Sequence, residues 1–512
     1  MIFYKVALYL VVVACKDLQA QKIYYGDDHN GPASVGHEFN LIFPKNTINA
    51  GQTPVISIVV MNTNLSTVAT VRVQYYEVHG EKREPKEITL KINGLSYETV
   101  EFNSSSLSTC GEPAANYLTT CIDTTINVYS EEALISVLAN WYLPDSGDSF
   151  AVTPITMGGY DFRLSIPQPS DAGNSTVYFL PTSQNYTNLV IFGEIDEDPF
   201  YLTFNIKPND SSLITIRTQY SLTLWAVSNC SFTIAAFAEG LAISEKMSKK
   251  DFGAFMPTPT IETGCGETLN DYHVFMQLAA ERILVTQSPY CIVPFSTYGD
   301  SGKSAEYFDP YTSEDIHLSG YGLNAGVNSS LGMLQVLQYG GYNLNETFDG
   351  AYLDMAVSWS QFVTGLTTFY VPTDENIVSI IADEDGIAEM YFDMTTQIWN
   401  WAPIPYYDES FYFATASVSS GLHTIESYGF YTVFVVGRNN RALYEQVAKD
   451  LPEKKTTLPP TTTTTPSTTT STSSTTPSTT TSSTTPSTTT STTTTSTTTT
   501  STTSTTTTTS SK

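Results

Sequence analysis

Apolar and polar residues alternate with period two along much of residues 21–440. The clearest alternating segments are residues 55–61, 71–77, 87–92 and 97–102. This alternation is typical of antiparallel strands that bury one face and expose the other. Asn93-Gly94 separates the last two segments, and this dipeptide strongly favours a hairpin turn. We therefore expect segments 87–92 and 97–102 to pair with each other.

A short pattern of strand, polar turn and strand recurs along this region. Its four copies lie at residues 125–138, 222–237, 283–295 and 423–436. A longer repeat combines Pro-Thr, an Asn three residues later and an Asp-Glu-Asp turn, and it occurs at residues 178–198 and 369–385. Self-similarity of this kind is the signature of tandem structural units.

These patterns predict an all-β fold made of tandem antiparallel β-sheet repeat units across residues 21–440. The spacing is irregular, so sandwich-type sheets and a propeller-like ring both remain open. Two segments, 272–280 and 441–450, have a composition that favours helix, and the second ends before Pro452. We assign residues 441–455 to that short helix and a linker.

The N-terminus has the composition of a secretory signal peptide. Lys5 precedes an apolar run at residues 6–14, and a cleavage site is expected after Ala20, so we assign residues 1–20 to the signal. An alternative is a bacterial lipobox at residues 12–15, in which Cys15 would carry a lipid. The signal-peptide interpretation predicts a secreted protein that folds in an oxidising compartment.

Residues 456–512 consist almost entirely of Thr, Ser and Pro. Such a segment cannot bury a core, so we expect a disordered tail, and its composition is that of a mucin-like, O-glycosylated stalk. No apolar segment follows it, which predicts a released, extracellular protein with no membrane anchor.

The chain is strongly acidic, with 51 Asp and Glu residues against 23 Lys and Arg residues and a formal net charge of -28. The tail is nearly uncharged, so the acidity lies on the β region. An acidic surface repels nucleic acids and anionic lipids. We therefore expect no nucleic-acid partner, and a preference for cations or basic partners.

Five cysteines follow the signal peptide. We expect a local disulfide between Cys110 and Cys121 and a second one between Cys265 and Cys291. This pairing leaves Cys230 as the odd cysteine, either free or bonded to another chain, and a Cys230–Cys265 bond is an open alternative. No Cys-x-x-Cys pair occurs and the six His residues are scattered, so we expect neither zinc nor another cofactor.

Eight Asn-x-Ser/Thr triplets mark candidate N-glycosylation sites. They begin at Asn64, Asn103, Asn174, Asn185, Asn209, Asn229, Asn328 and Asn345. One triplet is a weak signal, but eight of them beside a signal peptide and a Thr-rich tail form a consistent set. Asn229 is the doubtful member because it precedes Cys230 in an expected tight turn.

Other motifs have a structural interpretation that is simpler than a chemical one. Gly299-Asp300-Ser301-Gly302 resembles the nucleophile motif of trypsin-like proteases, but no suitable His context precedes it, and we interpret it as a loop. The two Asp-Glu-Asp turns lack the ligand spacing of a calcium loop. His423 is expected to be structural, and Trp399 and Trp401 are expected to pack in a core rather than bind sugar.

Six short phrases carry a resemblance to a known family. They are Ala-Leu-Ile-Ser-Val at 133–137, Asp-Ser-Phe-Ala-Val-Thr-Pro at 148–154, Gly-Gly-Tyr at 158–160, Ile-Ala-Asp-Glu-Asp-Gly at 381–386, Trp-Ala-Pro-Ile-Pro at 401–405 and Gly-Leu-His-Thr-Ile at 421–425. These phrases resemble the N-terminal domain of the IgG Fc-binding protein family, whose members are secreted, mucus-associated glycoproteins. The sequence departs from the family at residues 438–441, where Arg-Asn-Asn-Arg replaces a usual Tyr-Gly-Tyr-Pro. Antibody binding belongs to one branch of the family, and no motif here encodes it.

We therefore expect a secreted, glycosylated, non-enzymatic recognition protein that binds extracellular glycoproteins, mucin or microbial surfaces. A passive structural component of mucus or an extracellular coat is the alternative, and an intermolecular disulfide through Cys230 would favour it. A secreted glycosidase is a further alternative, although no pattern in the sequence positions the two carboxylates that such chemistry needs.

Overall fold

The computed structural model describes most of the β region and neither end of the chain. The described residues are 34–45, 52–80, 82–107, 117–170, 173–183, 185–207, 211–241, 250–260, 271–276, 282–286, 294–299, 302–306, 313–318, 324–329, 334–344, 347–396, 399–404, 410–439 and 442–448. The expected signal peptide and the mucin-like tail lie outside them. Within them the chain forms antiparallel sheets almost throughout, which confirms the all-β prediction.

The N-terminal sandwich consists of two four-stranded sheets that face each other. The strands of this region are β1 (Glu38–Leu41), β2 (Val55–Asn62), β3 (Ala69–His79), β4 (Lys82–Ile92), β5 (Ser96–Phe102), β6 (Leu118–Ile122), β7 (Ile126–Ser130), β8 (Ile135–Leu143) and β9 (Ser146–Ala151). One sheet has the order β1-β7-β3-β4 and the other β5-β2-β8-β9, while β6 joins a different sheet. Ile58 and Val73 are buried between the two sheets, as the period-two pattern predicts.

The expected hairpin at Asn93-Gly94 is wrong. β4 pairs with β3 and β5 pairs with β2, so the turn takes the chain from one sheet of the sandwich to the other. The turn packs on the preceding loop, where Leu95 donates its N–H to the Asn64 carbonyl at 3.0 Å. A Cβ at Gly94 would lie 2.5 Å from the Leu65 carbonyl oxygen, so glycine is needed here for close approach and not for pairing.

The first large sheet is organised around one long strand. Its remaining members are β10 (Gly159–Ile166), β11 (Ser175–Pro181), β12 (Thr187–Ile195), β13 (Asp198–Ile206), β14 (Ser212–Thr218), β15 (Leu222–Leu241) and β16 (Asp251–Phe255). β15 is 20 residues long, with β10 and then β16 along one edge and β12 and then β11 along the other. The strand–turn–strand expected at residues 222–237 is therefore wrong, because the chain continues through Ser228–Cys230 as one strand.

The second half of the described chain repeats this arrangement. A second sandwich contains β17 (Asp271–Met276), β18 (Arg282–Thr286), β19 (Phe295–Gly299), β20 (Gly302–Glu306), β21 (Ser313–His317), β22 (Asn324–Ser329), β23 (Gln335–Leu344) and β24 (Thr347–Met355). A second large sheet contains β25 (Val363–Val371), β26 (Asn376–Asp383), β27 (Met390–Phe392), β28 (Thr395–Thr396), β29 (Ala402–Pro403), β30 (Phe411–Ala416), β31 (Gly421–Asn439) and β32 (Ala442–Ala448), with the short helix α1 (Glu384–Ala388) after β26.

Both helices expected from composition are wrong. Residues 271–276 form β17, which pairs with β22, and residues 442–448 form β32, which pairs with β31 along its whole length. The β region therefore extends at least to Ala448 rather than ending near residue 440. Pairing with an adjacent long strand outweighs the weak helical preference of these short segments.

The two halves share one strand order. The sheet β1-β7-β3-β4 corresponds to β17-β22-β19-β20, and the sheet β5-β2-β8-β9 corresponds to β21-β18-β23-β24. In the large sheets, the strand order β13-β12-β15-β11-β14 corresponds to β28-β27-β31-β26-β30. We call β1–β16 the first copy and β17–β32 the second copy. The repeat expected between residues 178–198 and 369–385 is shifted by one strand, since β25 and β26 correspond to β10 and β11.

Each copy packs against the other. Leu284, Leu337 and Leu353 of the second copy are buried with Phe162 and Leu164 of the first large sheet. On the other side, Val59 and Leu138 of the N-terminal sandwich contact Leu422 of the second large sheet. At the centre, β9, β16, β24 and β32 are neighbours in turn. The described β region is thus a duplicated fold whose two copies share their cores.

Candidate functional site

Two hairpins of the first copy are much longer than their counterparts in the second. β3 and β4 have 11 residues each, against 5 each in β19 and β20. β12 and β13 have 9 residues each, against 3 in β27 and 2 in β28. Since the shared strand order does not require this extra length, the extensions are the first places to seek a function.

The β12–β13 hairpin exposes a continuous sheet face. Its inward side chains on β12, including Leu189 and Ile191, are buried in the first copy. The outward side chains are Asn188, Val190, Phe192 and Glu194 on β12 and Pro199, Tyr201, Thr203 and Asn205 on β13, and these eight residues are called the β12–β13 face. All outward positions on β13 are exposed and all those on β12 are half-buried.

An aromatic row crosses this face. Strand register places Tyr201 opposite Phe192, and Phe192 opposite Trp225 of β15. The Phe192 and Trp225 rings stack with their centroids 5.8 Å apart at an interplanar angle of 20°. Tyr201 is 45% exposed while Trp225 is 1% exposed, so the row runs from solvent into the protein. Trp225 thereby anchors the exposed aromatic surface to the body of the sheet.

The tip of the hairpin is acidic and has an unusual backbone. Asp196 and Glu197 form its two-residue turn with positive φ angles of 54° and 66°. Turns of this type favour Asn-Gly, because other side chains destabilise the left-handed conformation. Asp196, Glu197 and Asp198 are all exposed. Burial, followed by the charge of Glu197, raises the pKa of the nearby Glu194 carboxyl.

The outer edge of β13 is open within the described part of the chain, where β13 pairs only with β12. In a hairpin closed by Ile195 and Asp198, residue pairs alternate between those that exchange backbone hydrogen bonds and those that do not. Thr203 and Asn205 belong to the second kind. Their backbone N–H and C=O groups therefore point towards the open edge.

The second Asp-Glu-Asp motif has a different structure from the first. Asp383 is the N-cap of α1, and its carboxylate accepts hydrogen bonds from the N–H groups of Gly386 at 2.6 Å and Phe430 at 3.1 Å. Burial raises the pKa of Asp383, and the two hydrogen bonds act in the opposite direction. No cluster of His, Cys, Asp or Glu suited to a metal ion occurs among the described residues.

His423 lies in β31, and both of its ring nitrogens have hydrogen-bonding partners. One ring nitrogen contacts the Asp393 carboxylate at 2.9 Å and the other contacts the Ser419 carbonyl oxygen at 2.8 Å. Trp399 is 8% exposed and packs on Phe392, so it is a core residue as expected. Gly299 and Gly302 pair across the β19–β20 turn, whose two central residues lie outside the described chain.

Sequence patterns missed a group of buried carboxyls at the centre of the molecule. Asp148 of β9, Asp251 of β16 and Asp354 of β24 are each at most 4% exposed. Asp251 accepts hydrogen bonds from Gly147 N–H of β9 at 2.7 Å and Ala351 N–H of β24 at 2.8 Å. Burial raises the pKa of Asp148 well above its ordinary range, and the Asp251 and Asp354 charges add to the effect. These carboxyl groups are distant from one another in sequence, so no local motif indicates that they lie together.

The two described cysteines, Cys121 of β6 and Cys230 of β15, are both buried. Cys110, Cys265 and Cys291 lie outside the described residues. The pairing of Cys110 with Cys121 therefore stays a prediction. Cys230 is 4% exposed, and its Sγ lies 3.4 Å from the Tyr186 carbonyl oxygen.

The candidate glycosylation sites fall into three environments. Asn64, Asn103 and Asn185 are exposed in turns or loops. Asn174 and Asn229 are 7% and 8% exposed, and the Asn229 Oδ1 accepts the Asn188 N–H at 2.7 Å. Asn328 is half-buried in β22, and Asn209 and Asn345 lie outside the described residues. Glycosylation itself stays a prediction at all eight positions.

No protein-family model matches the chain, and no curated protein sequence matches it. The resemblance to the IgG Fc-binding protein family therefore stays a hypothesis. Among the described residues, no helix has the length and apolar character needed to cross a bilayer. The fold and the β12–β13 face define the class at a coarser level, as an all-β protein with duplicated sheet units and an exposed aromatic, acidic hairpin.

Proposed function

We propose that this chain is a secreted, glycosylated, non-enzymatic recognition protein that acts at an epithelial, mucosal or other extracellular surface. The β region binds the partner, which is a glycoprotein, mucin or microbial surface. The Thr-rich tail supplies hydration and reach. The sequence features behind this proposal are the signal-like N-terminus, the eight candidate glycosylation triplets and the mucin-like composition of residues 456–512.

The β12–β13 face is the observation that carries the recognition role. Binding surfaces are enriched in Tyr and Trp, whose large rings offer both apolar contact and a hydrogen-bonding group. Here Tyr201 is exposed beside Phe192, and Phe192 is held in place by the buried Trp225. Polar side chains of Thr203 and Asn205 continue the same face. The corresponding hairpin of the second copy is too short to offer such a surface.

A capture experiment tests this role. Secreted protein is incubated with immobilised mucin, with body-surface glycoproteins and with microbial cells, and the retained fraction is measured. Tyr201→Ser should reduce retention at least tenfold on the surface that binds the native chain. Tyr428→Ser removes a tyrosine that is 75% exposed in the second copy and should leave retention unchanged. Equal retention of all three chains would remove the β12–β13 face from the proposal, and no retention on any surface would remove recognition.

A passive structural component is the second candidate. Its main support in sequence was the odd cysteine, because a thiol at the surface can cross-link chains. Cys230 is buried in β15, which hinders access by another chain. Electrophoresis with and without reductant separates the two candidates, since Cys230-dependent multimers would favour the structural role.

A glycosidase gains no support from the carboxyl cluster at the centre of the molecule. Asp148 and Asp251 are each 1% exposed, so a sugar ring cannot reach them. Glycosidases hold their two carboxylates on either side of an accessible glycosidic bond. Turnover of any glycan in a substrate screen would nevertheless reinstate the enzyme hypothesis.

A further inference from the structure

We propose that the open edge of β13 binds an extended, basic peptide segment of a partner protein as an additional β-strand. This inference rests on the proposed recognition function and names the chemistry of the partner at the same hairpin. The mode is strand addition, in which backbone hydrogen bonds supply affinity and side chains supply specificity.

The backbone of β13 is suited to this mode. Thr203 and Asn205 direct their N–H and C=O groups away from β12. Natural proteins usually protect long edge strands with central charges, prolines or bulges. β13 has Pro199 near its start and Lys207 beyond its end, but its centre, Tyr201 to Asn205, has neither charge nor proline. The β3–β4 hairpin shows the contrast, because the edge strand β4 is interrupted by Pro85 and rich in charged residues.

The charges around the edge select a basic partner. Asp196, Glu197 and Asp198 are exposed at one end of β13, and Glu194 lies next to them on β12. The raised pKa of Glu194 reflects the local excess of negative charge as well as burial. Tyr201 lies on the same face and can receive a Lys or Arg side chain over its ring. The hairpin from Thr187 to Ile206 contains no basic residue, and Lys207 follows directly after it.

The charges also argue against a second copy of this chain as the occupant. Pairing β13 with β13 of another molecule would bring together two chains that each carry a formal net charge of -28. Long-range repulsion between them opposes this association at low ionic strength. A segment rich in Lys or Arg gains attraction from the same field.

Fluorescence anisotropy with synthetic peptides tests the proposal on the intact secreted chain. The probe is a labelled Lys-Thr repeat matched to the 9-residue length of β13. A Glu-Thr repeat of the same length controls for charge. A Lys-Thr repeat with N-methyl groups on alternate backbone amides keeps the charge and removes the hydrogen bonds that an added strand needs. We expect the Lys-Thr peptide to bind and added salt to weaken this binding. Both control peptides should bind at least tenfold more weakly.

Two variants of the protein test the site. Thr203→Pro removes an N–H that points to the open edge and keeps the β12–β13 hydrogen bonds, so it should abolish binding of the Lys-Thr peptide. Asp196→Asn combined with Glu197→Gly replaces the acidic turn by Asn-Gly, which favours the same turn. This variant preserves the hairpin even if the proline variant misfolds, and it should weaken binding several-fold. Circular dichroism confirms that each variant is folded.

The outcomes separate this inference from the proposed function. Strand addition would be overturned if the N-methylated peptide or the Glu-Thr peptide bound the native chain as tightly as the Lys-Thr peptide does. It would also be overturned if the Lys-Thr peptide bound Thr203→Pro as tightly as it binds the native chain. A dimer in sedimentation that disappears in Thr203→Pro would assign the edge to a second copy and also overturn it. If mucin or microbial surfaces retain Thr203→Pro fully but no longer retain Tyr201→Ser, the recognition function stands and the strand-addition inference fails. If the Lys-Thr peptide binds as expected but no surface retains the native chain, the edge site stands and the broader function fails.

Discussion

The Asp251 carboxyl group connects three strands at the centre of the molecule. It accepts hydrogen bonds from Gly147 of β9, Phe252 of its own strand and Ala351 of β24, at 2.7 to 2.8 Å. Asp148 accepts from Ala254 of β16 at 2.9 Å. Because β9 and β16 belong to the first copy and β24 to the second, one side chain satisfies backbone groups from both copies where no regular sheet joins them.

Replacement of Asp251 by Ala should strongly destabilise the fold. Three buried N–H groups would lose their acceptor, and each unsatisfied buried donor costs about 1 to 3 kcal/mol. We expect the free energy of unfolding to fall by at least about 3 kcal/mol in urea titrations followed by tryptophan fluorescence. Asp198→Ala, at an exposed position of β13, is the control and should change it little. Equal stability of the two variants would contradict the connection described here.

Asp148 should make stability depend on pH in a defined direction. Its raised pKa means that the folded state keeps a proton that the unfolded state loses near the ordinary value of 3.8. The contribution of this group to stability is therefore full below that pH, decreases as pH rises through the folded pKa, and is then constant. Urea titrations between pH 4 and pH 8 should show a smaller decrease in the free energy of unfolding for Asp148→Asn than for the native chain. An unchanged slope would mean that Asp148 is not the titrating group.

Glycan occupancy should follow the environment of each asparagine. Asn64, Asn103 and Asn185 are exposed, whereas the buried Asn229 side chain holds the Asn188 N–H and cannot accommodate a glycan. Mass spectrometry of glycopeptides from the secreted chain should find the first three occupied and Asn229 and Asn174 unmodified. A glycan on Asn229 of folded protein would contradict the position of that side chain. Deglycosylated peptides provide the reference for each site.

At the scale of elements, β12 approaches β15 closely at Gly193, beneath the β12–β13 face. A Cβ on this residue would lie 2.0 Å from the Thr223 carbonyl oxygen. Gly193→Ala should therefore force the strands apart and lower the free energy of unfolding by about 1 to 3 kcal/mol, as overpacking does. Val190→Ala changes an outward side chain of the same strand and should have a much smaller effect. Thermal unfolding of both variants measures the difference, and a native-like Gly193→Ala would contradict the close approach.

Strand positions were predictable from the sequence, but their connections were not. Residues 55–61, 71–77 and 97–102 are predicted as strands and lie in β2, β3 and β5. The pattern at residues 222–237 has the same period whether the chain turns back or continues, and Ser228-Asn229-Cys230 looks like a turn. The structure makes it a single strand because β11 and β12 pair with its two ends in succession. Pairing partners are long-range, and alternation within one segment does not identify them.

The candidate site was also only partly predictable. The acidic turn at Asp196 to Asp198 was visible as a motif, but its role as the tip of a hairpin with nine residues in each strand depends on where β12 and β13 pair. Tyr201 and Phe192 are ordinary strand residues in the sequence, and only the register places them in one row with Trp225. The buried carboxyls are separated by about a hundred residues in sequence, as the Gly147 to Asp251 contact shows. Local patterns contain no information about such contacts.

At the scale of the whole molecule, the duplication explains why a repeat was visible in the sequence but misaligned. Strand order is conserved between the copies, while hairpin lengths are not. Strand patterns resemble one another, so short phrases can align with the neighbouring strand as well as with the true counterpart. Each copy also covers an apolar face of the other copy. A copy without its partner would expose that face to water, which would destabilise its fold.

Neither copy should fold by itself. Residues 21–260 expressed alone would expose the surface on which Leu284, Leu337 and Leu353 pack, and residues 261–455 alone would expose the surface that contacts Val59 and Leu138. We expect each half to show no cooperative unfolding in urea, and co-expression of the halves to restore one cooperative transition. A full chain carrying a protease site within residues 261–270, cut after folding, is the control, and its two pieces should stay associated. Two halves that unfold cooperatively and independently would show that the copies are separate domains, and would remove the physical reason for the shared buried carboxyls at their junction.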